Sequence, residues 1–544
     1  MPVITFDYNE FIDILGYPIS KEDLIEKLPM IGGDFDKIDG DELSIEFFPN
    51  RPDLVSVEGV ARATRAFFEF ETGMKQYPIK QSSVQITVDE SVKNIRPYVT
   101  TALIKNVVMT DQLIKSLMSL QEKLHGGIGR NRKKVAIGVH NFETVTPPFI
   151  YKAVDPDSVQ FIPLGKQDYM SLSEILQNHE KGVDYAHLLK DFKRYPLIVD
   201  AHQNVLSFPP IINGQLTEVT AYTKELFIDV TGTDVKAIQY ALHIITTALA
   251  ERGCEIYQTT VIDADKTYIT PNLKPITKTL SITYVNSILG TTLTEKQIMH
   301  CLGKMGYNTS LSEKDCIIVE IPAWRADILH EIDLVEDVAI GYGYDIFDVD
   351  FPKSLTFGKP LPQYELYQSL RSIMTGLGFC EVTTFTISNN HDEFDNMGLI
   401  KQETVEIKNP IGEEFSTLRI SLIPSLLKIL NENKHHPLPQ KIFELGIIVD
   451  SQAKNHCNLA GVKVSAKSNF TESKSIIEAV LRDIGCRYVI KEHNHPGFIQ
   501  GRCASIYKDE TCIGLFGELH PKTITNFSLE HPIIAFEIQT KRLP

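Results

Sequence analysis

Apolar positions recur at helical spacing through the opening stretch FDYNEFIDILGYPISKEDLIEKLPMIG, where Ser20 is placed to cap a second helix. The pattern then switches to the short run LSIEFF, which reads as a strand, and to the turn PNRPD. Two prolines around Asn50 and Arg51 hold that turn out of helical geometry. A long amphipathic helix follows through Phe68, so residues 1–80 form an N-terminal α/β module.

Past the linker KQYPIKQSS, the strand signals VQITVD, TTALIKNVVM, KKVAIGVH and ELFIDVTG mix with the helices DQLIKSLMSLQEKLH and VKAIQYALHIITTALAERG. They predict an α+β domain over 84–265. A second proline-bearing linker, TPNLKPITKT, leads into a compact block over 276–352. Its strand TLSITYVN, helix TEKQIMHCLGKMGY and strand DCIIVEIP are followed by an acidic stretch. From 355 to 544 the helix in YELYQSLRSIMTGLGF feeds the strand CEVTTFTIS. Further strands (ETVEIKNP, QKIFELGIIVD, AGVKVSA, GRCASIYK, TCIGLFGEL, PIIAFEIQ) predict a largely antiparallel sheet with helices packed against it. The fold class is α+β, multidomain.

Composition narrows this picture by exclusion. The chain's 544 residues exceed a single core, at about 100–200 residues per domain. A net charge of −16 argues against a surface that binds nucleic acid or anionic membrane non-specifically, although a local basic patch remains compatible with RNA. The eight cysteines form no C-x-x-C pair, which disfavours a zinc ribbon or redox dithiol and fits a reducing compartment. The N-terminus carries no basic region of a signal peptide, and no run approaches about 18–20 apolar residues. A cytoplasmic protein without a membrane partner is expected.

Two stretches concentrate candidate chemistry. In RADILHEIDLVED, a helix beginning just after Asp327 places Asp333, Glu336 and Asp337 on one face, at i, i+3 and i+4, with Ile328, Ile332, Val335 and Ala339 on an apolar stripe. Asp327 then caps the helix. Three readings fit: a solvated acidic face, a hard divalent cation held by oxygen ligands, or a basic surface on a partner chain. Periodicity does not choose among them, and the spacing is not that of an EF-hand. In HGGIGRNRKKVAIGVHNFE, Arg130, Arg132, Lys133 and Lys134 follow a glycine-rich segment, either as a basic loop for tRNA or other phosphates or as a solvated turn. Neither a nucleotide P-loop nor G-x-S-x-G nor H-E-x-x-H occurs.

The motifs FFPNRPDLVSVEGVARA, LQEKLHGGIGRNRKKVAIGVHNFE, YKAVDPDSVQFIPL, VLSFPPIINGQLTEVT, IPAWRADILHEIDLVEDVAIGYGYD and NPIGEEFSTLRISLIPSLL occur in that order. With them the chain resembles the beta subunits of phenylalanine–tRNA ligases of the archaeal and eukaryotic type, over essentially its whole length. The resemblance implies a heterotetramer of two alpha and two beta chains that charges tRNA(Phe) using ATP. It implies an editing domain over 84–265 that hydrolyses tyrosyl-tRNA(Phe), and a small winged-helix-like domain of nucleic-acid-binding fold over 276–352. A degenerate class II synthetase domain is implied over 355–544. Leu197, Ser207 and Asp229 resemble the editing pocket, and Asp327, Asp333, Glu336 and Asp337 a Mg²⁺ site shared with the alpha subunit. No R-x-E motif occurs beyond 355, so the arginines that an active class II site aims at ATP are missing and the synthetic site belongs to the alpha chain. A phenylalanine pocket rejects an added hydroxyl by only about 10²-fold, which gives a second, hydrolytic site its purpose.

Overall fold

The computed structural model describes residues 2–264, 266–312, 315–349, 351 and 356–544. The boundary expected between 352 and 355 lies outside them. The chain forms two compact units, Met1–Asp350 and Phe351–Pro544.

The first unit opens on a strand, Val3–Asp7, ahead of the helix Tyr8–Leu15. The helical reading of the opening stretch therefore starts too early. Ile4 and Phe6 alternate inward, and the Asp7 side chain accepts the backbone N–H groups of Asn9 and Glu10, so the helix begins at its cap. Ser20 caps the helix Lys21–Lys27 as expected. Strand Glu42–Phe47 is the centre of a three-stranded sheet, flanked by Val3–Asp7 and Gly33–Asp39. The PNRPD turn then packs onto the helix Val57–Phe67 at Gly59. A Cβ there would lie 1.8 Å from the Asp53 carbonyl oxygen, so only glycine permits the approach.

Two sheets follow. One has the order Ile79–Lys80, Glu255–Tyr257, Tyr98–Lys105, Leu226–Gly232, Val135–Asn141, with the helices Asp111–Gly126 and Val235–Glu251 on one face. The other orders Ile212–Asn213, Val205–Phe208, Tyr195–Val199, Phe149–Val154, Gln85–Val88, Thr259–Asp263 and Lys266–Thr270. Both faces of the five-stranded sheet are covered. Leu226, Ile228 and Val230 join the cluster under the helices, whereas Phe227 packs with Phe149, Ile198 and Leu206 between the sheets. Strict alternation thus turns Asp229 toward the second sheet, and likewise Gly138 and His140 of the edge strand.

In the block after 276, strands Ile276–Ser281, Cys316–Ile321 and Asn308–Leu311 pair in that spatial order, with helices Ile282–Leu289, Glu295–Lys304 and Glu331–Tyr342. The expected strand TLSITYVN is cut in two. The Ser281 hydroxyl accepts the Tyr284 N–H and starts a helix where the apolar pattern alone reads as strand. One hydrophobic cluster runs from Phe11 and Leu54 through Leu120 and Ile245 to Ile317 and Val338, joining all three segments of the unit.

The second unit is a seven-stranded sheet ordered Cys380–Glu381, Gln440–Val449, Asn455–Val464, Ile533–Gln539, Thr511–Leu519, Phe498–Lys508, Val489–Glu492. Every pair is antiparallel except the first. Helix Ile423–Glu432 covers one face, and Pro362–Gly376 with Phe470–Asp483 the other. The expected strands CEVTTFTIS and ETVEIKNP are largely irregular. The first keeps two-residue pieces, Cys380–Glu381 on the edge of the main sheet and Ile387–Ser388 paired with Thr417–Leu418, and the second a single bridge, Glu406 to Thr417.

Candidate functional site

A cavity of about 600 Å³ opens beside the edge strand Val135–Asn141, walled by helix Asp111–Gly126, by Asp229 and Thr231, and by residues 207–213. That volume suits a small-molecule moiety. Two of the expected pocket residues meet here. Asp229 is buried, and Ser207 carries a buried hydroxyl with no hydrogen-bond partner. Leaving a buried hydroxyl without a partner costs about 1–3 kcal/mol, and this one stands at a cavity wall where a ligand group or a water can meet it. Leu197, the third, lies elsewhere: it is fully buried in the cluster of Phe161, Leu172 and Phe208 and does not line the cavity.

Asp229 is held from behind. His140 Nε2 lies 2.6 Å from Asp229 Oδ2, and His140 Nδ1 lies 2.8 Å from Thr217 Oγ1. The Thr217 hydroxyl lies in turn 3.1 Å from the Gly214 carbonyl. Hydroxyl, imidazole and carboxylate thus stand in a row. The hydroxyl has one proton, and His140 Nδ1 and the Gly214 carbonyl both lie within its reach.

The basic segment divides sharply. Arg130, Asn131 and Arg132 all have left-handed backbone (φ 47°, 52° and 65°), a costly run for non-glycine residues. Arg96 pins the turn by donating from Nη1 to the Arg132 carbonyl at 3.1 Å. Burial pushes the Arg96 guanidinium down to about 10. Arg132 is buried in the cavity wall, donating to Glu122 at 2.8 Å and to the Ile211 carbonyl at 2.8 Å, with its guanidinium 4.4 Å from the Tyr185 ring centroid. The His125 ring, 3.6 Å away, and then the charge of Arg132 hold the carboxyl of the half-exposed Glu122 down at about 2. Lys134 pairs with Asp234 at 2.9 Å. Arg130 and Lys133 remain exposed.

The acidic stretch resolves differently from its helical reading. Its helix runs Glu331–Tyr342, so Asp327 lies ahead of it and is not its cap. His330 is the N-cap, and Asp333, the third residue of the helix, reaches back: its Oδ2 accepts the backbone N–H groups of Leu329 (2.7 Å) and His330 (2.6 Å). Arg325 grips Asp327 with two hydrogen bonds, Nε to Oδ1 at 2.9 Å and Nη2 to Oδ2 at 2.7 Å, and reaches Asp337 Oδ2 at 2.6 Å. Tyr307 donates to the same Asp337 oxygen and places its ring 5.0 Å from the guanidinium. Burial works to lower the Arg325 pKa, but Asp337, Tyr307 and Asp327 hold it well above the ordinary value. Glu336 points outward. Partial burial, then Asp337, Asp333 and Asp327, raise its carboxyl. The expected apolar stripe shifts too, with Ile332 exposed and Leu334 and Val338 buried in its place. Among the described residues, no three His, Cys, Asp or Glu side chains converge on a point where this chain alone would hold a metal.

Comparison with known proteins now bears on these sites. The phenylalanyl tRNA synthetase beta chain CLM domain matches residues 348–540, and the tRNA synthetase B5 domain matches 278–344. The phenylalanine–tRNA ligase beta subunit of Methanosarcina acetivorans is 44% identical over 545 aligned residues, covering 100% of this chain and 99% of its own. The chain belongs to the phenylalanine–tRNA ligase beta-subunit family. The family's Methanocaldococcus jannaschii member is 42% identical across 99% of this chain and 100% of its own. The crystal structure of an N-terminal fragment of the Pyrococcus horikoshii beta subunit superimposes with a TM-score of 0.61 at 37% identity. It covers 63% of this chain and 100% of the fragment.

In this beta-subunit chain the structure unites Ser207, Asp229 and Arg132 in one cavity, and Asp327 and Asp337 on one arginine. Sequence reasoning missed His140, Thr217 and Gly138. Only the odd glycine in VAIGVHN, an alternating buried strand, signalled that another group needed its space.

Proposed function

We propose that this chain works in the cytoplasm with an alpha-subunit partner, two copies of each, in the ATP-dependent charging of tRNA(Phe) with phenylalanine, and that its own cavity hydrolyses tyrosyl-tRNA(Phe). The observation that carries the hydrolytic reading is the buried, unpartnered Ser207 hydroxyl in the same largely apolar cavity as buried Asp229. A pocket that hydrogen-bonds a substrate hydroxyl rejects the analogue lacking it far better than an apolar pocket rejects the hydroxyl, since the buried groups are otherwise left unpaired. Tyrosine differs from phenylalanine by that one group. Hydrolysis of the ester then needs a positioned water more than a protein nucleophile. Exposed Arg130 and Lys133, beside Arg132 of the cavity wall, are suited to tRNA phosphates.

The second unit stands on the degenerate class II reading. Its buried polar groups answer one another, Arg419 donating to Glu444 at 2.7 Å and Glu537 accepting from Ser421 and Asn458 at 2.6 and 2.7 Å. With Arg419 committed to Glu444 it is not free to meet a phosphate, which supports placing amino-acid activation on the alpha chain.

Magnesium fits this chain from one side only. The donors are all oxygen, and Glu336 stands exposed near Asp333 with no ion pair to a described residue. Glu336 and Asp333 would face the ion, Asp327 and Asp337 would act through water, and the alpha chain would complete the shell. There the ion would neutralise the acids and tie the two chains together.

The test is deacylation of preformed tyrosyl-tRNA(Phe) by this chain alone and with its alpha partner. Hydrolysis by the complex is expected. No hydrolysis in either setting removes the editing reading, and full activity of the chain alone favours a deacylase acting in trans.

A further inference from the structure

Asp229 and His140 do not face each other across the sheet. In the register of strands Leu226–Gly232 and Val135–Asn141, Asp229 stands opposite Gly138, and His140 opposite Phe227. The contact between them is a diagonal that crosses directly over Gly138. A Cβ on Gly138 would lie 2.1 Å from Asp229 Oδ2 and 2.5 Å from His140 Nε2, so any side chain there displaces both. His140 is fully buried and does not line the cavity, whereas Asp229 and Gly138 do. The Thr217 hydroxyl, 2.8 Å from His140 Nδ1 and 3.1 Å from the Gly214 carbonyl, fixes the far edge of the ring. At 2.6 Å a hydrogen bond joins Nε2 to Asp229 Oδ2 and occupies that oxygen, while Oδ1 takes no hydrogen bond from a described residue. Arg96, which feels the charge of Asp229, has its guanidinium occupied by Thr231 and by the carbonyls of Arg132 and Lys133.

We propose that His140 is a positioning residue, seated by the bare Gly138, which presents the single free oxygen of Asp229 to the cavity as the acceptor for a neutral phenolic hydroxyl. This rests on the hydrolytic reading above and deepens it, because it makes selectivity a property of the diagonal pair. A lone carboxylate would rotate and would attract cations. The clamped pair accepts one hydrogen bond in one direction.

The experiment uses the complete alpha–beta complex and preformed tyrosyl- and phenylalanyl-tRNA(Phe), and compares kcat/KM for the two deacylations in wild type, His140→Ala, His140→Gln and Gly138→Ala. Melting of each complex reports folding. His140→Ala and Gly138→Ala are expected to lower the tyrosyl-to-phenylalanyl ratio by about 10-fold or more, chiefly through KM for the tyrosyl ester. His140→Gln, whose amide can still donate to Asp229, is expected to restore most of it. A general packing defect would lower both deacylations alike and would not be rescued by glutamine. If the wild type discriminates and His140→Ala and Gly138→Ala discriminate equally well, the positioning role is overturned while the hydrolytic reading stands. A wild-type complex that hydrolyses neither ester overturns the hydrolytic reading itself. Should either variant melt early, the other carries the comparison.

Discussion

The cluster around Arg325 and the cavity around Asp229 both bury acids, yet they treat them in opposite ways. Asp327 and Asp337 share one buried guanidinium, and Tyr307 supplies a further donor. Asp229 is clamped on one oxygen only, near a serine hydroxyl with no partner at all. The acids of the Arg325 cluster are answered by a guanidinium and a hydroxyl, and such a pair builds structure because breaking it is costly, even though Arg325 Nη1 is left without a partner. The open groups beside Asp229 differ in lining a cavity, where a ligand can meet them.

Replacing Arg325 with Met is the hardest blow to the first region. It leaves two buried carboxylates without a cation and is expected to lower the unfolding free energy by about 3–5 kcal/mol, read by urea denaturation of the chain. A loss below about 1 kcal/mol would mean that the acids are solvated instead of paired.

Glu393 in the second unit offers an intermediate case, an acid buried with no cation beside it. Its Oε2 accepts the N–H groups of Ile420 and Ser421 at 3.1 and 3.3 Å, and its Oε1 has no partner. Burial raises the carboxyl from 4.5 to about 7, with Glu537 adding to the rise. The folded state therefore holds a proton that the unfolded state releases across that window. Stability falls as pH climbs from 4.5 to about 7 and is flat above. The change is of the order of 3 kcal/mol and is expected to vanish in Glu393→Gln. Denaturation at several pH values checks it, and parallel pH profiles for wild type and variant would refute it.

At the cavity, Asp229→Asn is expected to cost roughly 10²-fold in tyrosyl-tRNA(Phe) deacylation, a loss of transition-state binding comparable to a missing hydroxyl contact. Its stability effect should be smaller than that of Arg325→Met, since a ligand-facing group carries less of the fold. The reverse ranking would erase the contrast between the two regions.

The smallest effects belong to the acids at the rim of the Arg325 cluster. Asp333→Ala removes the acceptor that closes the first helical turn and is expected to cost about 1 kcal/mol. Glu336→Gln relieves repulsion and should leave stability within about 0.5 kcal/mol of wild type. If magnesium joins the chains here, Glu336→Gln weakens Mg²⁺-dependent association with the alpha subunit, measured by sedimentation with and without the ion. Unaltered association removes the metal reading.

Much of this was legible along the chain. Strands KKVAIGVH and ELFIDVTG, helices DQLIKSLMSLQEKLH and VKAIQYALHIITTALAERG, and the Ser20 cap lie where their periodicity places them. Ser207 and Asp229 share a cavity. The failures have local causes. The helix reading of RADILHEIDLVED began too early because Arg325 engages the carboxylate of Asp327, and the helix starts at His330, whose N–H is taken by Asp333 from inside the first turn. TLSITYVN reads as one apolar strand, but Ser281 ends it by capping. Leu197 matched by its neighbourhood in the chain, yet alternation turns it into the apolar cluster beneath its sheet.

By itself the sequence determined the kinds of element, the faces they bury and membership of the beta-subunit family. Those follow from residue type and spacing, which act over a few positions. The tertiary structure alone decided that Arg325 answers Asp327 and Asp337, and that His140 reaches Asp229 across the gap left by Gly138. Arg325 and Asp327 are only 2 positions apart, but Arg325 and Asp337 are 12 apart and His140 and Asp229 are 89 apart. The distant contacts depend on strand order and register, and no pattern within a single segment encodes which strand becomes its neighbour.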